Sequence, residues 1–282
     1  MRHESQRLAT VELLPENPPA STEAAVASEV ASPILEPLRG RVTLERASVQ
    51  LLPLAPPALV EVSLDVAPGR FVAVVGPSGS GKSILASLLV GLFQPSSGRV
   101  LFDGASLERL DYHWVQRQTG VVPQRPHLLP TTVRANVALS EPALPLESLV
   151  EAARAAGALD EIAALPRGWD TLLADCGLSL GDGLRQRLAL ARALVARPAV
   201  LLLDEALAAP EHDEDARLAE ALRSLSCTRI VLARRRATMA AADEILVVRE
   251  GRIVERGAHG ELLSVGGHYA RLLGLAASDP WI

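Results

Sequence analysis

One octet constrains this chain more than any other stretch. Gly76-Pro77-Ser78-Gly79-Ser80-Gly81-Lys82-Ser83 follows directly on the apolar run Phe71-Val72-Ala73-Val74-Val75 and opens a segment of helical pattern. A continuous apolar run that ends at a glycine reads as a parallel strand buried on both faces. From Lys82 to Phe93 the residues Ile84, Leu85, Leu88, Leu89 and Leu92 fall on one broad helical face. The octet therefore sits between a strand and a helix, the setting that its match to the phosphate-binding loop pattern requires. Gly76, Gly79 and Gly81 allow the backbone to turn its N–H groups toward one point, and the helix N-terminus adds partial positive charge for an anion. In such a loop Lys82 reaches terminal phosphates and the Ser83 hydroxyl ligates Mg²⁺. A chance Gly/Ser turn is the bland alternative, and composition weighs against it. The 28 basic residues are 27 arginines and one lysine, and that lysine is Lys82. Coding bias accounts for the arginine excess; a planar guanidinium does not replace a compact ammonium in this loop.

The rest of the composition bounds the class. With 282 residues, 22% charged, 49% hydrophobic and a net charge of −5, the chain is of ordinary globular type, with room for one substantial domain and a smaller subdomain. Cys176 and Cys227 are far apart and lack metal-ligand spacing, so a disulfide framework and a zinc motif are both excluded and a reducing compartment is expected. There is no apolar run of spanning length and no signal-peptide pattern, which predicts a chain that neither crosses a membrane nor is exported. The slight acidity, with Arg234-Arg235-Arg236 as the only basic run, argues against nucleic acid as a partner.

Residues 1–38 are rich in Ala, Pro, Glu and Ser and read as a flexible arm, with a short helix near Ser5 to Leu14. From Arg41 the pattern changes. Arg41 to Gln50, Leu59 to Val66, Val200 to Leu203, Ile230 to Ala233 and Glu244 to Val248 read as strands; Leu184, Leu188, Ala191 and Val195 mark a helix, and about Asp213 to Leu225 another. Val133 to Leu165 has no strand signal and predicts a helical subdomain, about 129–196, between two halves of a sheet. Strands alternating with helices predict an α/β domain with a mostly parallel sheet. At the carboxyl end of the strand Val200 to Leu203, where open α/β sheets bind ligands, stand Asp204 and Glu205. Alone they read as a solvated strand end. Together with the upstream loop they read as a Mg²⁺ ligand, Asp204, and a group polarising an attacking water, Glu205.

These motifs resemble the ATP-binding cassette (ABC) ATPases, most closely the nucleotide-binding domains of exporter-type transporters, over residues 39 to about 275. Gly120-Val121-Val122-Pro123-Gln124 resembles the family's Q-loop, Gly177 to Arg187 its signature followed by RQR, and Gly251 to Leu263 its end. The resemblance implies a P-loop NTPase core sheet with an N-terminal antiparallel β subdomain and the helical insertion, all within 39–282. It implies ATP and Mg²⁺ as ligands: Gln124 and Glu205 act in catalysis, Ser83, Gln124 and Asp204 hold the metal, Gly76 to Ser83 bind nucleotide, and Leu51 covers adenine where the family places an aromatic ring. It also implies a second nucleotide-binding domain docked head to tail, a separate transmembrane permease, and a location on the inner face of the membrane. The arm before residue 39 resembles the connector that follows the last membrane helix in fused exporters. It starts here at a methionine, so a membrane part is expected to come from another chain or to be missing.

Four positions depart from the family. The signature reads Leu180-Gly181-Asp182-Gly183-Leu184, so its serine is Gly181 and Asp182 is expected to repel a triphosphate. Leu184 stands in its glutamine position, and Arg234 stands where the family has its switch histidine. For Arg234 a solvated side chain is expected over a catalytic one. The D-loop reads Ala206 to Glu211. The expectations are ATP binding with slow hydrolysis and a heterologous partner rather than a homodimer. The alternative is a hydrolysis-deficient nucleotide-binding module of regulatory or structural kind. A soluble ABC ATPase of DNA repair or translation is a third class, disfavoured because the chain has neither long coiled coils nor a second cassette.

Overall fold

The strand Phe71–Val75 (β3) feeds two hydrophobic cores at once in the computed structural model, which describes residues 36–52, 55–204 and 219–274. Phe71, Ala73 and Val75 point into one core, and Val72 and Val74 into the other. All five side chains are buried, as a continuous apolar run requires. The elements belong to one compact unit, Pro37–Ile282.

The core sheet has six strands in the order β10-β9-β3-β8-β7-β6. The strands β6 (Thr119–Val122), β7 (Val200–Asp204), β8 (Thr228–Leu232), β3 and β9 (Glu244–Arg249) run parallel, and β10 (Arg252–Gly257) closes one side antiparallel to β9. A second, antiparallel sheet has the order β2-β1-β4-β5, from β1 (Val42–Val49), β2 (Leu59–Val66), β4 (Ser97–Phe102) and β5 (Ala105–Ser106). It packs with α1 (Lys82–Leu89) on the side of the core sheet that receives Val72 and Val74. The fold is that of a P-loop NTPase with an antiparallel β layer and a helical insertion.

Two features differ from the sequence expectation. The antiparallel layer is not purely N-terminal, because β4 and β5 come after the phosphate loop, β4 pairing with β1 and β5 with β4. Helix α1 stops at Leu89, four residues before Phe93. Gly91, at φ 70°, ends it: the Leu92 N–H donates to the Ser87 carbonyl at 2.8 Å and the Gly91 N–H to that of Leu88 at 3.0 Å. That pairing terminates a helix at a left-handed glycine, and Leu92 is left 43% exposed instead of on the buried face.

Helix α2 (Tyr112–Arg117) precedes β6, and the insertion between β6 and β7 comprises α3 (Val133–Val137), α4 (Leu146–Ala155), α5 (Leu159–Ala164) and the long α6 (Asp182–Val195). Helix α6 returns the chain to β7 and lies against β6. A side chain at Gly120 would approach the Ala193 carbonyl oxygen to 3.1 Å, so glycine there lets helix and strand close up. After β8 follow α7 (Arg236–Ala241), then α8 (His259–Val265) and α9 (His268–Leu272) after β10. Of the helix expected from Asp213 to Leu225, residues 219–224 are described and helical. The arm before residue 36, including the short helix expected near Ser5 to Leu14, the segment 205–218, and the chain after 274 lie outside the described residues. Among the described residues no helix is long and apolar enough to cross a membrane.

Candidate functional site

Four strand ends carry the sequence-derived candidates along one edge of the core sheet. Val74 of β3 is level with Leu232 of β8, and Leu232 with Asp204 of β7; Leu203 is level with Val122 of β6. The phosphate loop after β3, Arg234 after β8, Asp204 on β7 and Gln124 after β6 therefore follow one another at the carboxyl ends of parallel strands, where α/β sheets bind ligands. The Ala233 N–H donates to the Val74 carbonyl at 3.0 Å, which carries the β3–β8 pairing up to the loop.

The loop has the backbone its sequence demands. Gly76, Gly79 and Gly81 have φ of 151°, 77° and 101°, a region that L side chains rarely enter. Gly81 caps α1 in the left-handed conformation with no capping side chain, and no acidic residue stands in the first turn. The Ser80 carbonyl accepts from the Gly251 N–H at 2.9 Å, and the Gly251 carbonyl accepts from the Val60 N–H at 2.9 Å. A Cβ on Gly81 would stand 2.7 Å from the Ala58 carbonyl oxygen. The β9–β10 turn and the chain entering β2 thus brace the loop from below. Sequence reasoning placed Gly251 only in the terminal motif; the Glu250-Gly251 turn between two strand patterns was the available signal.

Two observations test the loop against a phosphate ligand. The Ser80 hydroxyl is buried in it with no hydrogen-bond partner. The Lys82 ammonium folds back and donates to the Gly76 and Pro77 carbonyls at 2.8 Å each, so the loop holds both a cation and an unsatisfied polar group. An anion fits this arrangement. Ser83 is exposed at the first turn of α1, and Asp204 is half-buried at its strand end. Among the described residues no cluster of three or more His, Cys, Asp or Glu stands ready for a metal. A divalent cation here would draw on a hydroxyl, an amide and one carboxylate, hard oxygen donors of the kind Mg²⁺ takes. Glu205 lies outside the described residues. Leu51 lies in the turn after β1 and is 54% exposed. The Ala58 N–H returns that turn to the Val49 carbonyl at 2.7 Å, which brings its far end beside Gly81.

Past the ends of β6 and β8 a cleft of about 910 Å³ is bordered by Gln124, Arg125, Asp182, Arg185, Arg234 and Arg235, among others. Gln124 and Arg234 are exposed on its wall. Here the structure revises one expectation, because Asp182 is not a bare charge. Arg185, one turn along α6, donates to its carboxylate. The segment leading to α6 is held by Asp175, whose carboxylate accepts from the N–H groups of Gly177 at 3.0 Å and Ser179 at 2.6 Å.

Farther along α6, the Arg192 guanidinium donates to the Asn136 carbonyl at 2.8 Å, the His127 carbonyl at 2.9 Å and Asn136 Oδ1 at 2.7 Å. Burial draws its pKa below the ordinary arginine value, and three oxygen acceptors meet the charge.

A family model described as ABC transporter matches residues 59–208. The cyclolysin secretion/processing ATP-binding protein of Bordetella pertussis is 43% identical over 247 residues, 87% of this chain and 35% of that protein. The ATP-dependent lipid A-core flippase of Chromobacterium violaceum is 41% identical over 244 residues, 86% of this chain and 42% of that protein. A solved bacterial Atm1-family ABC exporter with ATP bound superposes with a TM-score of 0.80 at 35% identity, covering 87% of this chain and 43% of that one. The chain thus spans well under half the length of these relatives.

Proposed function

The chain belongs to the ABC transporter family, and from that premise we propose that it is the ATP-binding subunit of an exporter-like transporter, converting ATP binding and slow hydrolysis into movement of a separate transmembrane partner. The observation that carries the reading is the phosphate loop, which brings together a glycine-capped helix without an acid in its first turn, a lysine ammonium and an orphaned hydroxyl. The relatives support the direction of transport by their names, which speak of secretion, flipping and export.

In this reading the loop amides and Lys82 hold the phosphates, and Leu51 covers the adenine by apolar contact without ring stacking. Ser83, Asp204 and Gln124 would hold Mg²⁺, whose chemistry when bound is to neutralise charge on the phosphate oxygens. Glu205 orients and polarises the attacking water, with Gln124 beside it. The lysine ammonium leaves the Gly76 and Pro77 carbonyls for phosphate oxygens as nucleotide enters, exchanging neutral acceptors for charged ones. The subunit sits on the inner face of the membrane through its permease and pairs with a second nucleotide-binding domain.

Gly181, Leu184 and Arg234 favour slow turnover and a heterologous partner whose signature and histidine are intact. A missing charge-stabilising group commonly lowers turnover about 10²- to 10³-fold, and a homodimer would carry the same defects at both sites. The same residues are what favours the second reading, a nucleotide-binding module that closes on ATP without productive hydrolysis. Steady-state phosphate release by the purified chain, alone and with its transmembrane partner, separates the two. Slow release that Glu205→Gln abolishes is the expected result. Turnover matching an ordinary transporter ATPase would refute slow hydrolysis, and binding without any release would favour the second reading.

A further inference from the structure

Gln124 sits on a short bridge between two fixed points. On one side Val122 is buried and paired with β7. On the other, His127 and Leu129 are tied to the helical insertion: the Asn136 side chain accepts from the Leu129 N–H at 2.8 Å through Oδ1, and through Nδ2 donates to the carbonyls of Leu129 at 3.0 Å and Thr132 at 3.1 Å. Asn136 is 1% exposed, so its amide geometry is fixed by these partners and by Arg192. The guanidinium fork bonds to both α3 and the loop at His127. The same helix carries Asp182 and Arg185 into the cleft that Gln124 borders.

Resting on the nucleotide reading above, we propose that Arg192 is a positioning residue for Gln124, clamping the loop 124–129 to the helix that starts at the glycine-rich turn 177–181, so that movement at either end is transmitted to the other. Only a planar fork with donors in fixed directions serves three acceptors on two segments at once. A lysine would reach one of them. Arg192 touches neither phosphate nor metal in this scheme, and acts through the placement of the Gln124 amide.

The test is a double-mutant cycle on the full chain, with a fluorescent ATP analogue titrated in Mg²⁺ and in EDTA. In Mg²⁺, Arg192→Lys and Arg192→Met are expected to weaken binding by about threefold and about tenfold, the size of couplings within one hydrogen-bond network. In EDTA both remain within about twofold of wild type, because the loop amides and Lys82 are untouched. In a Gln124→Ala background, Arg192→Lys adds less than about 1.5-fold. Equal loss with and without Mg²⁺, or full additivity with Gln124→Ala, would mean that Arg192 serves stability alone and would overturn the proposal. If Arg192→Met does not fold, the Arg192→Lys arm decides. Failure of the wild-type chain to bind the analogue at all would overturn the nucleotide reading together with the clamp, whereas wild-type binding with an uncoupled cycle overturns the clamp only.

Discussion

Helices α1 and α6 both begin at a glycine with no capping side chain, and they do opposite things with the same half-charge. At α1 the Leu85 N–H reaches the Gly81 carbonyl at 2.9 Å; at α6 the Arg185 N–H reaches that of Gly181 at 3.1 Å. The first turn of α1 holds no acid, and its positive end is left for a ligand. The first turn of α6 begins with Asp182, whose carboxylate meets both the helix dipole and Arg185. Their glycines differ as well. Gly81 has φ 101° and a backbone oxygen where a Cβ would go, while Gly181 has φ −59° and nothing within 4 Å. One glycine is demanded by the backbone and the other only permitted. A helix N-terminus is thus a binding element when local chemistry leaves it unspent, and a plain structural end when its own side chains answer it.

The comparison breaks most sharply at the lysine. Lys82→Ala is expected to weaken ATP-analogue binding by roughly 10- to 100-fold, since a charge-assisted hydrogen bond is worth about 1.5–3 kcal/mol; titration by fluorescence reads it. Arg185→Ala at the matching end of α6 should stay within about threefold, the scale of an i,i+3 pair on a helix surface. The glycines come next. Gly81→Ala forces a left-handed alanine at about 1–2 kcal/mol with a close backbone oxygen besides, so a fall of roughly 4–8 °C in the melting midpoint is expected. Gly181→Ala should shift it by about 1 °C or less, and equal shifts would erase the distinction between the two caps. The acid at the start of α6 is tested by Asp182→Asn. Loss of its attraction to the helix end, about 0.3–1 kcal/mol at low ionic strength, lowers the midpoint by roughly 1–3 °C. In about 1 M salt that difference should vanish by screening; persistence there would mean that Asp182 acts by packing.

The phosphate loop was legible in the sequence because everything that shapes it is contiguous: an apolar strand, three glycines and the lysine within thirteen residues of chain. The parallel strands β3, β7, β8 and β9 were legible for the same reason, each being a run of its own, whereas β6 was not read as a strand. The strand β4 was not. Ser97, Gly98 and Arg99 are exposed, and only Val100 and Phe102 of its six residues are buried. It is a strand because β1 pairs with it across a bulge between Glu45 and Ser48. The Asp182–Arg185 pair was available from i,i+3 spacing on a helix, and was missed because Asp182 was weighed against a distant ligand before its own neighbours. The Arg192–Asn136 clamp joins residues 56 positions apart, and no local pattern announces a contact of that range.

Strand order gives the site a scale. Neighbouring strands stand about 4.8 Å apart, so β3, which leads into the loop, and β6, which leads to Gln124, are separated by roughly 14 Å, and β7 with Asp204 stands roughly 10 Å from β3. A ligand seated on Lys82 touches the far groups only if it, or an ion it carries, extends across the ends of β8 and β7. The sheet therefore works as a gauge: its parallel register converts the length of what is bound into which residues are engaged.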